Sequence, residues 1–305
     1  MIMKSTLSWI GLALGLATAP VIANPIPTIT PDSPLLIQIT NVEQFCATNC
    51  ITSGGSPEGN WGVFNISTIN LSSVQTPNRF IAGSSGAIFT DIAGHGNGQL
   101  SGIFYGIQVT GATTATSGFL DLYWDSTAAG TPATVADTGT ALPTSRCGQA
   151  CFTGFTDGIQ LLHLAFNWGV DDNNLTVFIS SDIDPSTLTT GVEGHANGFL
   201  DVILSGLPWD SIFNTNYFHV GGAFSTGPCV GDGAGPCPAE ERDFRFRNTF
   251  TTQTNWNGAP GSGILGFGST DPVTTFSAPV TVPEPSALAL LAIGLLGCAW
   301  ARRRA

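Results

Sequence analysis

Two histidines sit in near-identical settings, Gly94-His95-Gly96-Asn97-Gly98 and Gly194-His195-Ala196-Asn197-Gly198. Paired with Asp91 or Asp201, they could share a metal or pass a proton. Neither has the spacing of a ligand set, and Gly-His-x-Asn-Gly reads as a tight turn in which Asn and Gly take positive φ. A second candidate is Asp171-Asp172-Asn173-Asn174, followed by Asp182 and Asp184. Oxygen-rich loops of this kind can hold calcium, so Asp171, Asp172, Asp182 and Asp184 are weak candidates. Neither an EF-hand loop nor a Gly-Gly-x-Gly-x-Asp repeat accompanies them, and a solvated hairpin tip is the expectation. No metal and no cofactor are expected, with calcium as the lesser alternative.

Carboxylate pairs are the third possibility. Asp121 and Asp125 share one face of a strand, and Glu240-Glu241 follows a cysteine loop. Glycoside hydrolysis needs two carboxyls about 5 or 9 Å apart in a cleft. Nothing else in the sequence supports that chemistry, so these acids are expected on the solvated surface. Trp61, Trp124, Trp168, Trp209 and Trp256 could stack on sugar rings, but most are expected in the core, with Trp256 exposed. Nucleophile elbows, phosphate loops, nucleotide fingerprints and basic patches are absent from the sequence, and an enzyme is not expected.

The cysteines report the compartment. Six of the seven fall in close pairs: Cys46 with Cys50, Cys147 with Cys151, and Cys229 with Cys237. An even set in an exported chain implies disulfides, and the three local pairs are favoured because each closes a small ring. Six cysteines allow 15 pairings, so spacing alone leaves the connectivity open. A zinc site is the rival, and no histidine neighbours any pair.

The elements that would carry these residues read as strands. Glycine is abundant, with 38 residues, and β-branched and aromatic residues fill the intervals, the pattern of strands joined by tight turns. Leu35 to Thr40 is a first strand. Trp61, Val63, Ile66 and Ile69 mark a second and are core candidates. In the next, Leu100, Ile103, Tyr105, Ile107 and Val109 are expected on one surface. Phe119 to Trp124 follows. After a Thr/Ala/Gly/Pro stretch at Ser126 to Ser145, Ile159 to Phe166 and Leu175 to Ile179 read as a hairpin. Phe199 to Leu204 and Tyr217 to Ala223 are further strands. Phe244, Phe246, Asn248 and Phe250 alternate against Arg245, Arg247, Thr249 and Thr251, giving one aromatic and one polar face. Thr270 to Thr281 reads as a spacer. The fold class is therefore all-β: a β-sandwich, of jelly-roll type in one form, with short signal helices at the termini. Two related sheets remain the alternative, given the repeated histidine motif.

The ends of the chain say where it goes. Residues 1–23 read as a signal peptide: Lys4, an apolar run from Leu7 to Ala17, and Val21-Ile22-Ala23 before cleavage. Residues 24–281 are the exported domain. There, five arginines face twenty acids, a net charge near −15 that disfavours nucleic acid and anionic lipid. Residues 282–305 hold Pro283-Glu284-Pro285, an uncharged run from Ala287 to Ala301, and Arg302-Arg303-Arg304. The apolar run would span about 22 Å as a helix, a short crossing of a membrane about 30 Å thick. The arginines hold its end in the cytoplasm.

Pro283, Glu284 and Pro285, the apolar run and the arginine cluster together resemble the PEP-CTERM sorting signal of exported bacterial proteins. The resemblance implies recognition and removal of the helix by exosortase, a membrane protease-transpeptidase. It also implies a transient inner-membrane anchor, then the cell surface or extracellular matrix of bacteria that make exopolysaccharide or biofilm. A structural surface protein with extracellular polysaccharide as partner is the expected role. A carbohydrate-binding module and a secreted glycan hydrolase are the alternatives.

Overall fold

The structure is a computed structural model, and it describes residues 35–53, 56–76, 79–82, 89–90, 98–125, 154–171, 174–188, 192–215, 218–219, 241–253 and 261–277. The signal peptide, the sorting tail, Asp91, His95, Asp172, Glu240, Trp256, Cys147, Cys151, Cys229 and Cys237 lie outside those residues.

The strands in chain order are β1 (Leu35–Cys46), β2 (Ile51–Ser53), β3 (Ser56–Glu58), β4 (Asn60–Thr76), β5 (Arg79–Ala82), β6 (Phe89–Thr90), β7 (Gln99–Val109) and β8 (Thr114–Thr116). They continue as β9 (Phe119–Asp125), β10 (Ile159–Asn167), β11 (Ile179–Ser181), β12 (Glu193–Val202), β13 (Phe218–His219), β14 (Glu241–Arg242), β15 (Phe244–Gln253) and β16 (Ile264–Ser277). One short helix, α1, covers Asp210–Phe213.

Eight antiparallel strands close on themselves in the order β1-β4-β7-β9-β10-β12-β15-β16, with β16 pairing back to β1. The fold is all-β as the sequence implies, but it is a barrel and not a sandwich. Alternation along a strand shows which residues share a face. It does not show whether the last strand finds the first, which here it does along nearly the whole of β1. The alternative of two related sheets is corrected as well, since the eight long strands pair into one ring.

The wall contains a substitution at one level. Near one end β7 pairs β9, which pairs β10; near the other β7 pairs β8, which pairs β11, which returns to β12. β8 and β9 are one bent strand, broken at Ser117 and Gly118, both with positive φ. β10 and β11 occupy successive stretches along β12, β10 ending at Asn167 and β11 beginning at Ile179. The expected hairpin is thus corrected: Ile179 continues the place of β10 and does not return beside it. Other expectations shift similarly. β1 runs on through Cys46, and β16 occupies most of the stretch expected as a spacer. Gly194 to Gly198 lies within β12, not in a turn.

Cross-strand neighbours fix the interior. Leu100 faces Trp124, Leu120 faces Leu164, and Leu200 faces Phe244, all buried in one cluster. Large residues meet glycines: Phe104 lies opposite Gly62, and Phe64 opposite Gly102. Alternating sizes let large side chains interdigitate inside a narrow barrel. A Cβ on Gly102 would stand 2.2 Å from the Asp121 carbonyl and 2.4 Å from Phe64. Some glycines read as turn punctuation therefore serve packing inside strands. The single surface expected on β7 is split: Leu100 and Ile107 face inward, whereas Ile103 and Tyr105 join a second cluster with Trp61, Val63, Tyr123 and Phe155.

The end at which β1 begins and β16 finishes is plugged. Trp209 and Phe213 are fully buried, and Phe213 stacks on Phe244 at 5.4 Å. The Asp210 carboxylate accepts N–H bonds from Ser205, Gly206 and Leu207 at 2.8–2.9 Å, which locks the approach to α1.

Candidate functional site

At the opposite end the barrel is not filled. A cavity of about 70 Å³ lies between the upper halves of β1, β4, β7, β12, β15 and β16, beside the changeover from β10 to β11. Its walls are mainly aromatic: Phe45, Phe104, Phe166, Phe246, Phe250 and Phe267 all line it. Residues 111–115, Ser181 and Pro185 form the rim. Phe45 and Phe250 each meet Phe267 edge-on, at 6.0 and 5.5 Å between centroids.

Glu43 projects into this apolar space. On β1 the inward phase is Leu35, Ile37 and Ile39, then, past a bulge, Asn41, Glu43 and Phe45. Room for the carboxyl is made on β4, where the residue opposite Glu43 is Gly62. A Cβ there would meet the Glu43 Cβ at 2.7 Å. Asn60 Nδ2 donates to Glu43 Oε2 at 3.2 Å, and Asn248 Nδ2 to Oε1 at 3.3 Å. Burial pushes the Glu43 carboxyl up from 4.5 to about 7, against the two amide hydrogen bonds, which favour the ion. The Asn248 Oδ1, in a residue only 3% exposed, has no hydrogen-bond partner. Both amide atoms of Asn41, one pleat step deeper, are likewise unpartnered.

This site was missed in sequence because the first strand was expected to stop at Thr40. The available signal was a carboxylate and an asparagine in the inward phase of two strands, and Asn248 was visible among the aromatics of β15.

A polar network lies on the outer face of the wall. Asp121 is wholly buried; its Oδ1 lies 2.5 Å from His163 Nδ1, and Tyr105 and Tyr123 donate to it. Phe119 stacks on the His163 ring at 5.3 Å. Burial raises the Asp121 carboxyl, with the His163 and tyrosine hydrogen bonds opposing. Asp125 is also buried and accepts from Ser101 at 2.9 Å; burial moves its carboxyl to about 6. Solvated surface acids were expected at both positions; instead Asp121 is enclosed with His163, Tyr105 and Tyr123, and Asp125 shares Ser101 with the Phe155 carbonyl, which the Ser101 hydroxyl meets at 3.2 Å. The two carboxylates have separate partners and do not form a cleft pair.

The remaining candidates disperse. His195 pairs with Asp182, Nδ1 to Oδ2 at 2.8 Å, and not with Asp201. Burial of Asp182 is outweighed by hydrogen bonds from the His195 backbone and ring, which lower its carboxyl. Asp201 accepts from Asn167 at 2.7 Å and stands 3.7 Å from Arg242. Asp184 accepts from Ser186 N and caps a 3-10 turn at Pro185–Thr187. Asp171 lies half-buried four residues beyond the end of β10. Among the described residues no group of three or more potential metal ligands converges. Trp61, Trp124 and Trp209 are buried, and Trp168 lies under the Arg242 guanidinium at 4.7 Å. Cys46 and Cys50 form a disulfide, with Cα atoms 5.7 Å apart, at the cavity end of β1. Asn49, inside that ring, holds both the N–H and the carbonyl of Val109 on β7. No described helix is long and apolar enough to cross a membrane.

Comparison with known proteins places one match: residues 281–305 fit the family model described as the PEP-CTERM protein-sorting motif. No curated protein and no solved structure matches the chain. The motif implies export, recognition by exosortase and processing at the membrane.

Proposed function

We propose that the chain is a non-catalytic component of the cell surface or extracellular matrix, linked to exopolysaccharide or biofilm and released from its anchor by exosortase. The supporting observation is the junction between barrel and signal. β16 closes the ring through Ser277, and only residues 278–282 separate it from Pro283. The apolar run begins at Ala287, so nine residues, 278–286, lie between the ring and it, and their reach of at most about 32 Å limits how far the anchored barrel stands from the membrane. Cutting at the motif frees a unit whose ladder is already complete. The orientation also follows: β16 runs from the cavity end to the tail end, so the cavity faces away from the membrane until release.

Mass spectrometry of the protein from cells with and without exosortase tests the processing. The expected product lacks Arg302-Arg303-Arg304 only where the enzyme is present. An intact C-terminus in both would overturn the reading. Retention of the processed barrel with extracellular polysaccharide on fractionation tests the matrix role, and a barrel found wholly in the free medium would remove it.

A further inference from the structure

We propose that the barrel cavity is a binding site for a small organic ammonium ion, a primary amine with a short apolar tail. Three features of the cavity converge on this class. The first is the polar inventory. Asn60 and Asn248 each occupy one acceptor position on the Glu43 carboxyl, and the Asn248 Oδ1 is unpartnered. The lining leaves acceptor capacity open at Glu43 and at Asn248 Oδ1, and a primary ammonium brings three donors to one point. The second is charge. Among the described residues no cation stands against Glu43, and no other titratable side chain lines the cavity. Arg245 and Arg247 on β15 belong to the opposite phase from Asn248. The third is the wall. Six phenylalanine side chains line the same cavity as the carboxyl, and aromatic faces favour a cation in a desolvated site. An alcohol offers one donor and no charge; an anion would be repelled by Glu43.

The size follows from the volume. About 70 Å³ holds roughly five water-sized centres, the size of a four-carbon amine, with longer tails directed to the rim at residues 111–115 and Pro185. Binding needs Glu43 ionised, and its carboxyl titrates at about 7 when the cavity is empty. Amine affinity therefore rises with pH across that value, by about tenfold between pH 6 and pH 8, as the ionised fraction rises.

The test is isothermal titration calorimetry on the full chain in lipid nanodiscs, with n-butylamine, n-butanol and butyrate as probes at pH 6 and pH 8. Empty nanodiscs are the blank. Butylamine is expected to bind at pH 8, about tenfold more weakly at pH 6, and at least tenfold more tightly than butanol or butyrate. Glu43→Gln should remove both the pH dependence and the preference for the amine. Ala196→Leu, which fills the cavity from β12 without touching Glu43, should abolish binding in a chain whose circular dichroism is unchanged. Equal binding of butanol and butylamine at pH 8, an unaltered amine affinity in Glu43→Gln, or no binding heat above the blank overturns the proposal. This outcome is independent of exosortase processing, so the two readings stand or fall separately.

Discussion

Glu43 is the residue at which stability, chemistry and fold meet. Its carboxyl is raised in the folded barrel, so the native state holds a proton that the unfolded chain releases earlier. The folded state binds more protons between 4.5 and about 7, and stability therefore falls as pH rises through that window. The full shift corresponds to about 3 kcal/mol. Urea unfolding of Glu43→Gln should show this part of the pH slope missing, with the variant gaining on the parent as pH rises from 5 to 8. An unchanged slope would mean that water reaches the carboxyl freely. Asp125 moves in the same direction, up to about 6, so some slope persists in the variant. Gly102 makes the opposite kind of demand. Its interior position leaves no space for a methyl group, and Gly102→Ala should cost about 1–3 kcal/mol by overpacking, read as a lower urea midpoint at an unchanged m-value.

Elements show where patterning succeeds and where it stops. The inward phase of β15 was legible, because Phe244, Phe246, Asn248 and Phe250 alternate without interruption and all four are buried, whereas Arg245 on the face expected to be polar is buried too. β7 was not, because its bulge against β4 between Asn60 and Gly62 shifts the phase, putting Ile103 and Ile107 on opposite faces. β10 and β11 were misread as partners because two apolar runs flanking an Asp/Asn turn look alike whether they pair or lie end to end. The plug α1 was missed altogether; four residues carry no periodicity. Its contribution is nonetheless large. Trp209→Ala removes a side chain that is 2% exposed, between Phe213 and β10, and should cost about 3–5 kcal/mol. Chemical denaturation measures it, and a loss below 1 kcal/mol would show that the end of the barrel closes without the plug.

The described part of the molecule is a closed wall with one plugged end and one cavity end, and the strand that finishes at the plugged end leads on to the sorting motif at 281–305. The sorting signal was legible residue by residue, because prolines, an uncharged run and an arginine cluster act in linear order. The candidate site was not legible, since Glu43, Asn60 and Asn248 come from three strands and are joined only by tertiary pairing. Strand order also predicts an order of events. β16 is the last of the described strands and pairs both β1 and β15, so the barrel cannot close until the chain just before the sorting motif has emerged. Truncation before Ile264 should leave β1 and β15 with unpaired edges, seen as aggregation and loss of the cooperative thermal transition. A monomeric, cooperatively melting truncation would contradict closure through β16.

Local chemistry in the chain was enough to set the sorting motif, the β-rich class and the inward face of the regular strands. These depend on the order and period of neighbouring residues. Closure of the ring, the unfilled end and the placing of one carboxylate among six phenylalanines depend on which distant strands pair and in what register. That information is carried by the summed fit of all eight strands, and no single stretch contains it.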